Sequence, residues 1–295
     1  MTGRRRLVKA PASSANLGPG YDVLAAALEP YLELEVSEVG DFSVDTGGLE
    51  VPEDRSNLCV AAFERLHSAD GMRFEIRSDI PLAAGLGSSA AAIVAGLIAA
   101  DHLFELDNSR EDLFALASEL EGHPDNVAAA LYGGVVVCPP AEASASAAAP
   151  IRLAPPEGVE ALLVIPSDSV PTREARAAMP AEVPVTAASA NVAAAAHLVL
   201  GIERSDLTLI ERGLRDRIHQ PAREHLYQRS MDLVRAAPGL GALGATISGA
   251  GPTVLVWSYW QHSGDVADAL RSEVGDWAEV RRAPFAPHGA DVPEL

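Results

Sequence analysis

Pro81-Leu82-Ala83-Ala84-Gly85-Leu86-Gly87-Ser88-Ser89-Ala90-Ala91, continued by an apolar run to Ala100, is the stretch on which the reading of this chain turns. Gly85 and Gly87 admit left-handed turns and let the backbone approach a ligand closely. Ser88 or Ser89 is expected to cap the helix that follows. The first turn of a helix leaves amide N–H groups unpaired, with the positive end of the dipole behind them. Phosphate suits such a place. The lysine of the G-x-x-x-x-G-K-[ST] loop is absent. Bound phosphates would then be neutralised by backbone N–H groups, by a metal, and by residues from elsewhere. The same residues also suit a plain tight turn before a buried helix, and other stretches must decide.

The wider composition narrows the classes. At 295 residues, one large or two medium domains are expected. A net charge of −19 argues against a nucleic-acid partner. Lys9 is the only lysine, so arginine carries nearly all positive charge. That balance fits a high-salt surface or a GC-rich coding bias equally well. Cys59 and Cys138 are too few for a disulfide scaffold or zinc site, and are expected as small buried side chains. The apolar run after Ser89 is too short to span a bilayer, and the N-terminal stretch does not have the pattern of a signal peptide. A cytoplasmic protein with no membrane partner is expected.

In chain order, residues 5–10 suggest a strand, and Pro11 to Asp22 a polar loop of the kind that carries function. Val23 to Leu28 looks helical, with Asp22 as its cap. Residues 31–39 and 73–78 alternate as strands, and 57–68 suggest a helix. Ser109 opens a helix with Glu111 and Asp112 in its first turn. Glu121-Gly122-His123-Pro124-Asp125-Asn126 precedes a short helix to Leu131, then Gly133-Gly134 and a strand from Val135 to Cys138. Residues 139–150 are low in complexity, a loop or a linker, and a domain boundary is expected near 155. Beyond it come a strand at 161–165, helices near 186–200, 205–217 and 221–236, a glycine-rich turn at 244–253, a strand at 254–257, a helix at 263–273 and an edge strand at 276–282. An irregular tail follows from Pro284. Two successive strand–helix mixtures indicate an α+β fold.

Pro11 to Asp22, Pro81 to Ala91, and Ile247 to Thr253 stand in the order and spacing of the three signature motifs of the GHMP small-molecule kinases, which they resemble. Pro11-Ala12-Ser13-Ser14-Ala15-Asn16-Leu17-Gly18-Pro19-Gly20-Tyr21-Asp22 and Glu121 to Val127 are similar to the versions in the homoserine kinase branch. Two departures stand out: Ala83 where the family usually has glycine, and Tyr21 where phenylalanine is commoner. The resemblance implies an N-terminal domain over 1–155 like ribosomal protein S5 domain 2, and a ferredoxin-like domain over 156–295. It also implies ATP-dependent phosphorylation of L-homoserine with Mg2+, and it is compatible with a homodimer. Another GHMP kinase acting on a different small alcohol, or an inactive ligand-binding relative, is the alternative.

Site roles follow from that resemblance. Pro81, Leu82, Ala83, Ala84, Gly85, Leu86, Gly87, Ser88, Ser89, Ala90 and Ala91 would form the phosphate loop, with Gly249, Gly251 and Thr253 closing it from the second domain. Asn57 matches an adenine contact, although a helix cap explains it equally. Ser89 and Glu121 match the metal ligands. Arg176 and Arg223 match the two arginines that bind the substrate carboxylate, with Arg173 the rival for the first. Asp22 and Asp125 are candidates for the ammonium, and His123 for the pocket wall. Asn16 and Asn126 would hold the reacting hydroxyl, beside Asp125. No side chain is expected to be an obligatory general base: the hydroxyl proton would pass to phosphate or water.

Overall fold

Residues 31–38 alternate leucine or valine with polar residues, a period that buries one face of a sheet. A computed structural model, describing residues 3–139 and 149–293, shows that face as Leu32, Leu34 and Val36. In chain order the elements are β1 (Arg5–Ala15), β2 (Leu24–Glu38), β3 (Ser43–Asp45), α1 (Leu58–Phe63), β4 (Met72–Ser78), α2 (Ser88–Phe104), α3 (Arg110–Glu121), α4 (Asp125–Tyr132), β5 (Val135–Val137) and β6 (Ile151–Leu153). Then follow β7 (Val159–Pro166), α5 (Thr172–Ala177), α6 (Val185–Arg204), α7 (Leu207–Gly213), α8 (His219–Arg223), α9 (Gln228–Ala236), β8 (Gly244–Ile247), β9 (Val254–Tyr259), α10 (Ser263–Val274) and β10 (Ala278–Arg282). The loop or linker expected over 139–150 lies almost wholly outside the described residues.

The first sheet runs β3-β4-β2-β5-β6, with β1 along the other side of β2. The antiparallel β1–β2 ladder pairs Arg5 with Ser37 and Ala15 with Ala25, and shifts register between Pro11 and Ala12. Against this sheet lies α2, which touches β1, β2, α1, α3 and α4 and is buried from Ala90 to Asp101. A helix apolar all round is a core helix, as its sequence implied. The second sheet has the antiparallel order β10-β7-β9-β8. Counted within itself that order is 4-1-3-2, the ferredoxin-like arrangement, so the fold is α+β as expected. Its residues alternate between two cores. Ala161, Leu163, Leu255 and Trp257 face the larger one, while Leu162, Val164, Val254 and Val256 pack with Met231, Val266 and Leu270. The tail is irregular but returns to the first sheet, bridging Leu28 to Phe285 and Lys9 to Asp291.

Two local expectations are corrected. Residues 23–28 do not form a helix: Leu24 to Leu28 open β2 and are buried throughout, between β1 on one side and β5 on the other. A stretch buried on both faces has no polar alternation to separate strand from helix. Asp22 therefore caps nothing. The helix after the glycine loop is capped by Gly87, in the left-handed region and without a side-chain bond. Ser88 and Ser89 lie inside its first turn. Elsewhere Ser109 caps α3 with a reciprocal bond to Asp112, Cys59 and Cys138 are free and buried, and burial pushes the Cys59 thiol up to about 12. The 20-residue α6 is long and apolar enough to cross a bilayer by length and composition alone. Here its Asn191, Ala194, Leu198, Gly201 and Ile202 are buried, and it packs on α7.

Candidate active site

The first motif leaves β1 through two left-handed residues, Asn16 (φ 71°) and Leu17 (φ 44°). Asparagine tolerates that conformation because its short amide bonds locally. Asn16 Nδ2 donates to the Gly249 carbonyl at 2.8 Å, and its Oδ1 accepts the Asp22 N–H at 3.0 Å. One amide thus ties the first motif to the third and fixes the return of its own loop.

The second motif is clasped from both sides. A Cβ on Gly87 would stand 2.0 Å from Ser13 Oγ and 3.0 Å from Asn126 Oδ1; on Gly85 it would stand 2.4 Å from the Ser248 carbonyl. Both glycines have positive φ, 78° and 66° for Gly85 and Gly87. Ser13 N–H donates to the Leu86 carbonyl at 3.0 Å, Gly249 N–H to the Ala15 carbonyl at 3.1 Å, and Ser248 Oγ to the Gly85 carbonyl at 2.7 Å. All three motifs converge although up to 233 residues separate the partners. Between them opens a cavity of about 240 Å³. With no side chain spent on capping, the first-turn amides of α2 remain for a ligand, and Ser88 and Ser89 line the cavity beside them.

At the floor, Ser89 Oγ donates to Glu121 Oε1 at 2.5 Å, joining the start of α2 to the end of α3. Burial pushes the Glu121 carboxyl up; the Ser89 bond and the His123 charge oppose it. His123 Nδ1 lies 3.1 Å from Asp125 Oδ1, which also accepts the Asn126 N–H at 2.7 Å. Burial alone would lower the His123 imidazole, but the bond to Asp125 and the charges of Asp125 and Glu121 hold it above its ordinary value. Ser13 Oγ donates to Asn126 Oδ1 at 2.9 Å, which leaves the Asn126 NH2 for the cavity. Among the described residues no group of three or more His, Cys, Asp or Glu side chains could hold a metal by itself. Ser89 and Glu121 nevertheless fit magnesium, which takes one or two hard protein oxygens and completes its shell with phosphate and water.

The cationic wall comes from α5 and α8. Arg176 lines the cavity and donates to Asp22 at 2.9 and 3.1 Å, while Arg173 is exposed outside it. Arg223 is 2% exposed yet reaches the same cavity. Its Nε donates to the Ala175 carbonyl at 2.8 Å and its Nη1 to the Gly249 carbonyl at 3.4 Å. His219, one turn earlier on α8, has Nε2 2.7 Å from the Gly18 carbonyl and Nδ1 3.5 Å from Arg223 Nη1. An arginine only donates, so His219 accepts at Nδ1 and donates from Nε2. Beneath it the buried Asp216 accepts Asn191 Nδ2 at 2.9 Å and the Gln220 N–H at 2.6 Å.

Of the residues singled out by sequence, the cavity gathers Asn16, Asp22, Glu121, His123, Asp125 and Asn126. It also takes Arg176, Arg223, Ala83, Gly85, Leu86, Gly87, Ser88, Ser89 and Gly249. Asn57 is elsewhere: it caps α1 by accepting the Cys59 N–H at 3.0 Å and donates to the Pro52 carbonyl at 2.8 Å, the cap reading of its sequence position. Pro81, Leu82, Ala84, Ala90, Ala91, Gly251 and Thr253 do not line the cavity; Ala84, Ala90 and Ala91 are core. Sequence reasoning missed Tyr21, Thr172 and the second-layer His219. Tyr21 stood inside a quoted motif, whereas nothing in the sequence marked His219.

Known proteins are similar to this chain in both sequence and shape. Residues 57–134 match the GHMP kinases N terminal domain, and residues 198–277 match the GHMP kinases C terminal domain. A homoserine kinase of Prochlorococcus marinus (strain MIT 9313) is 39% identical over 86% of this chain and 83% of its own length. A homoserine kinase of Thermus thermophilus is 39% identical over 89% of each chain. The crystal structure of homoserine kinase from Cytophaga hutchinsonii superimposes with a TM-score of 0.86 at 30% identity, covering 98% of this chain and 97% of that one.

Proposed function

The chain belongs to the GHMP kinase family, beside its homoserine kinases, and from that premise we propose that it transfers the γ-phosphoryl group of ATP to the side-chain hydroxyl of L-homoserine. The product is O-phospho-L-homoserine, and the step serves threonine biosynthesis in the cytoplasm. The observation that carries this reading is the convergence of an unobstructed helix start, a pair of hard oxygens and a zwitterion-sized set of opposite charges on one cavity.

Phosphoryl transfer asks for positioning and charge neutralisation more than for covalent chemistry. The backbone from Gly85 to Ser89 would receive the β- and γ-phosphates, and the Gly249 turn would hold that loop in place. Magnesium held by Ser89 and Glu121 would offset phosphate charge when bound. Arg176 and Arg223 would take the substrate carboxylate, since guanidinium matches its two oxygens. Asp22 and Asp125 would receive the ammonium, with His123 beside them. Asn16 and the free Asn126 amide would orient the hydroxyl toward the phosphate. Asp125 already accepts two bonds, so we keep it as a positioning charge and assign the hydroxyl proton to phosphate or water. In this reading residues 1–155 supply the nucleotide site and residues 156–295 the closing turn and both arginines.

A coupled assay of ADP release with L-homoserine, L-serine, L-threonine, mevalonate and shikimate tests the substrate, with phosphorus NMR to identify the product. Homoserine is expected to give the highest kcat/KM. Preference for an alcohol without the α-amino acid head would overturn the reading.

A further inference from the structure

Two cations face one small space in this cavity, where like charges repel; Asp22 offsets the charge of Arg176, and one neutral acceptor bonds to both guanidinium groups. That acceptor is Tyr21. Its hydroxyl oxygen lies 3.2 Å from Arg176 Nη1 and 3.5 Å from Arg223 Nη2, the latter at the outer limit of hydrogen bonding. Its ring lies against both guanidinium groups, with centroid distances of 5.9 Å to Arg176 and 5.1 Å to Arg223, within range of cation–π attraction. The ring also packs beside His219, at 5.6 Å between centroids and tilted by 34°. Tyr21 also lines the cavity. It is therefore the spacer between an arginine on α5 and an arginine on α8, held by the loop that carries Asp22.

Both arginines are donors only, so the phenol must accept from them and its own hydrogen is left to point elsewhere. Among the described residues no protein acceptor takes that hydrogen. Burial, followed by the neighbouring Asp22 charge, pushes the phenol above its ordinary value, so it keeps the hydrogen at neutral pH. We propose that Tyr21 is a specificity-determining residue: it holds Arg176 and Arg223 at the spacing of one carboxylate and donates its O–H to that carboxylate as a third charge-assisted bond. The inference rests on the proposed reaction, in which an α-amino acid is the substrate, and adds the group that selects its carboxylate.

Tyr21→Phe keeps the ring and its contacts and removes only the oxygen. Calorimetric titration of wild type and variant with L-homoserine and with L-homoserine amide reads the carboxylate preference without turnover. Steady-state kinetics on the same proteins read KM and kcat for homoserine and ATP. The expected result is a homoserine KM raised by about tenfold, the size of one lost bond to a charged group. The preference for carboxylate over amide should shrink to match, with kcat and the ATP KM little changed. An unchanged carboxylate preference in Tyr21→Phe would overturn the inference while leaving the reaction intact. A wild type that prefers the carboxylate but does not phosphorylate homoserine would overturn the reaction and leave the role of Tyr21 standing.

Discussion

Both oxygens of the Asp22 carboxylate accept from Arg176, at 2.9 and 3.1 Å, joining the first motif to α5 across 154 residues of sequence. In the proposed complex these are the partners of the substrate's ammonium and carboxylate. The resting pair is thus the complement of an α-amino acid head, with each charge already compensated.

The two side chains are 39% and 32% exposed, and an ion pair so open to water contributes about 0–1 kcal/mol to stability. Arg176→Ala should therefore leave the thermal midpoint nearly unchanged. The homoserine KM should rise by at least about tenfold, because a charge-assisted contact to substrate is lost. Thermal melting and steady-state kinetics on one preparation check the contrast. A midpoint that fell in step with activity would make the pair a structural tie.

Gly87→Ala puts a methyl group where Ser13 Oγ stands, at a left-handed φ. The backbone strain costs about 1–3 kcal/mol, and the displaced Ser13 and Asn126 should weaken ATP binding. Gly40→Ala is the control: φ is again positive, but nothing lies within 4 Å of the added carbon. It should lose about 1–2 kcal/mol from backbone strain alone and keep its nucleotide affinity. Chemical denaturation and nucleotide titration separate the two.

Glu121→Gln keeps the shape beside Ser89 and removes the charge. The magnesium concentration for half-maximal activity should rise by at least about tenfold, the loss seen when even outer partners of a metal are removed. The homoserine KM should change less. A magnesium titration unaffected by the substitution would place the metal elsewhere.

His219 gives a stability signature with pH. Burial holds its imidazole below the ordinary 6.5, the Arg223 charge adding to this and Asp216 opposing it. As pH falls through 6.5, the unfolded chain takes a proton that the folded chain refuses. This contribution is therefore fully present above 6.5 and lost as pH falls toward the folded value, at up to about 1.4 kcal/mol per pH unit. His219→Gln should flatten the loss of stability between about pH 7 and pH 5. His123 acts with the opposite sign, since its pKa is raised: its contribution is present at low pH and fades as pH rises. It is common to both proteins and cancels in the comparison. Denaturant midpoints across that range provide the measurement.

Residues 24–28 and 81–89 show where local pattern succeeds and where it stops. The glycine loop was legible because positive φ and close approach leave a residue-level mark, and α2 because an apolar run of helical length has few other uses. Leu24 to Leu28 misled because complete burial erases the alternation that identifies a strand. Ser88 and Ser89 misled as caps because the chain leaves the cap to Gly87's backbone and keeps both hydroxyls at the cavity.

The amino-acid order alone determined the three glycine-rich motifs, the burial of the helix behind the second, and the acidic, lysine-poor character of the whole. These are properties of short windows and of sums. Folding decided which arginine joins Asp22, that Tyr21 stands between two cations, and that His219 backs Arg223. Each of these is a contact between residues on separate elements. The spacing that creates it is set by how the first-motif loop, α5 and α8 come together, and no stretch of chain carries that spacing within itself.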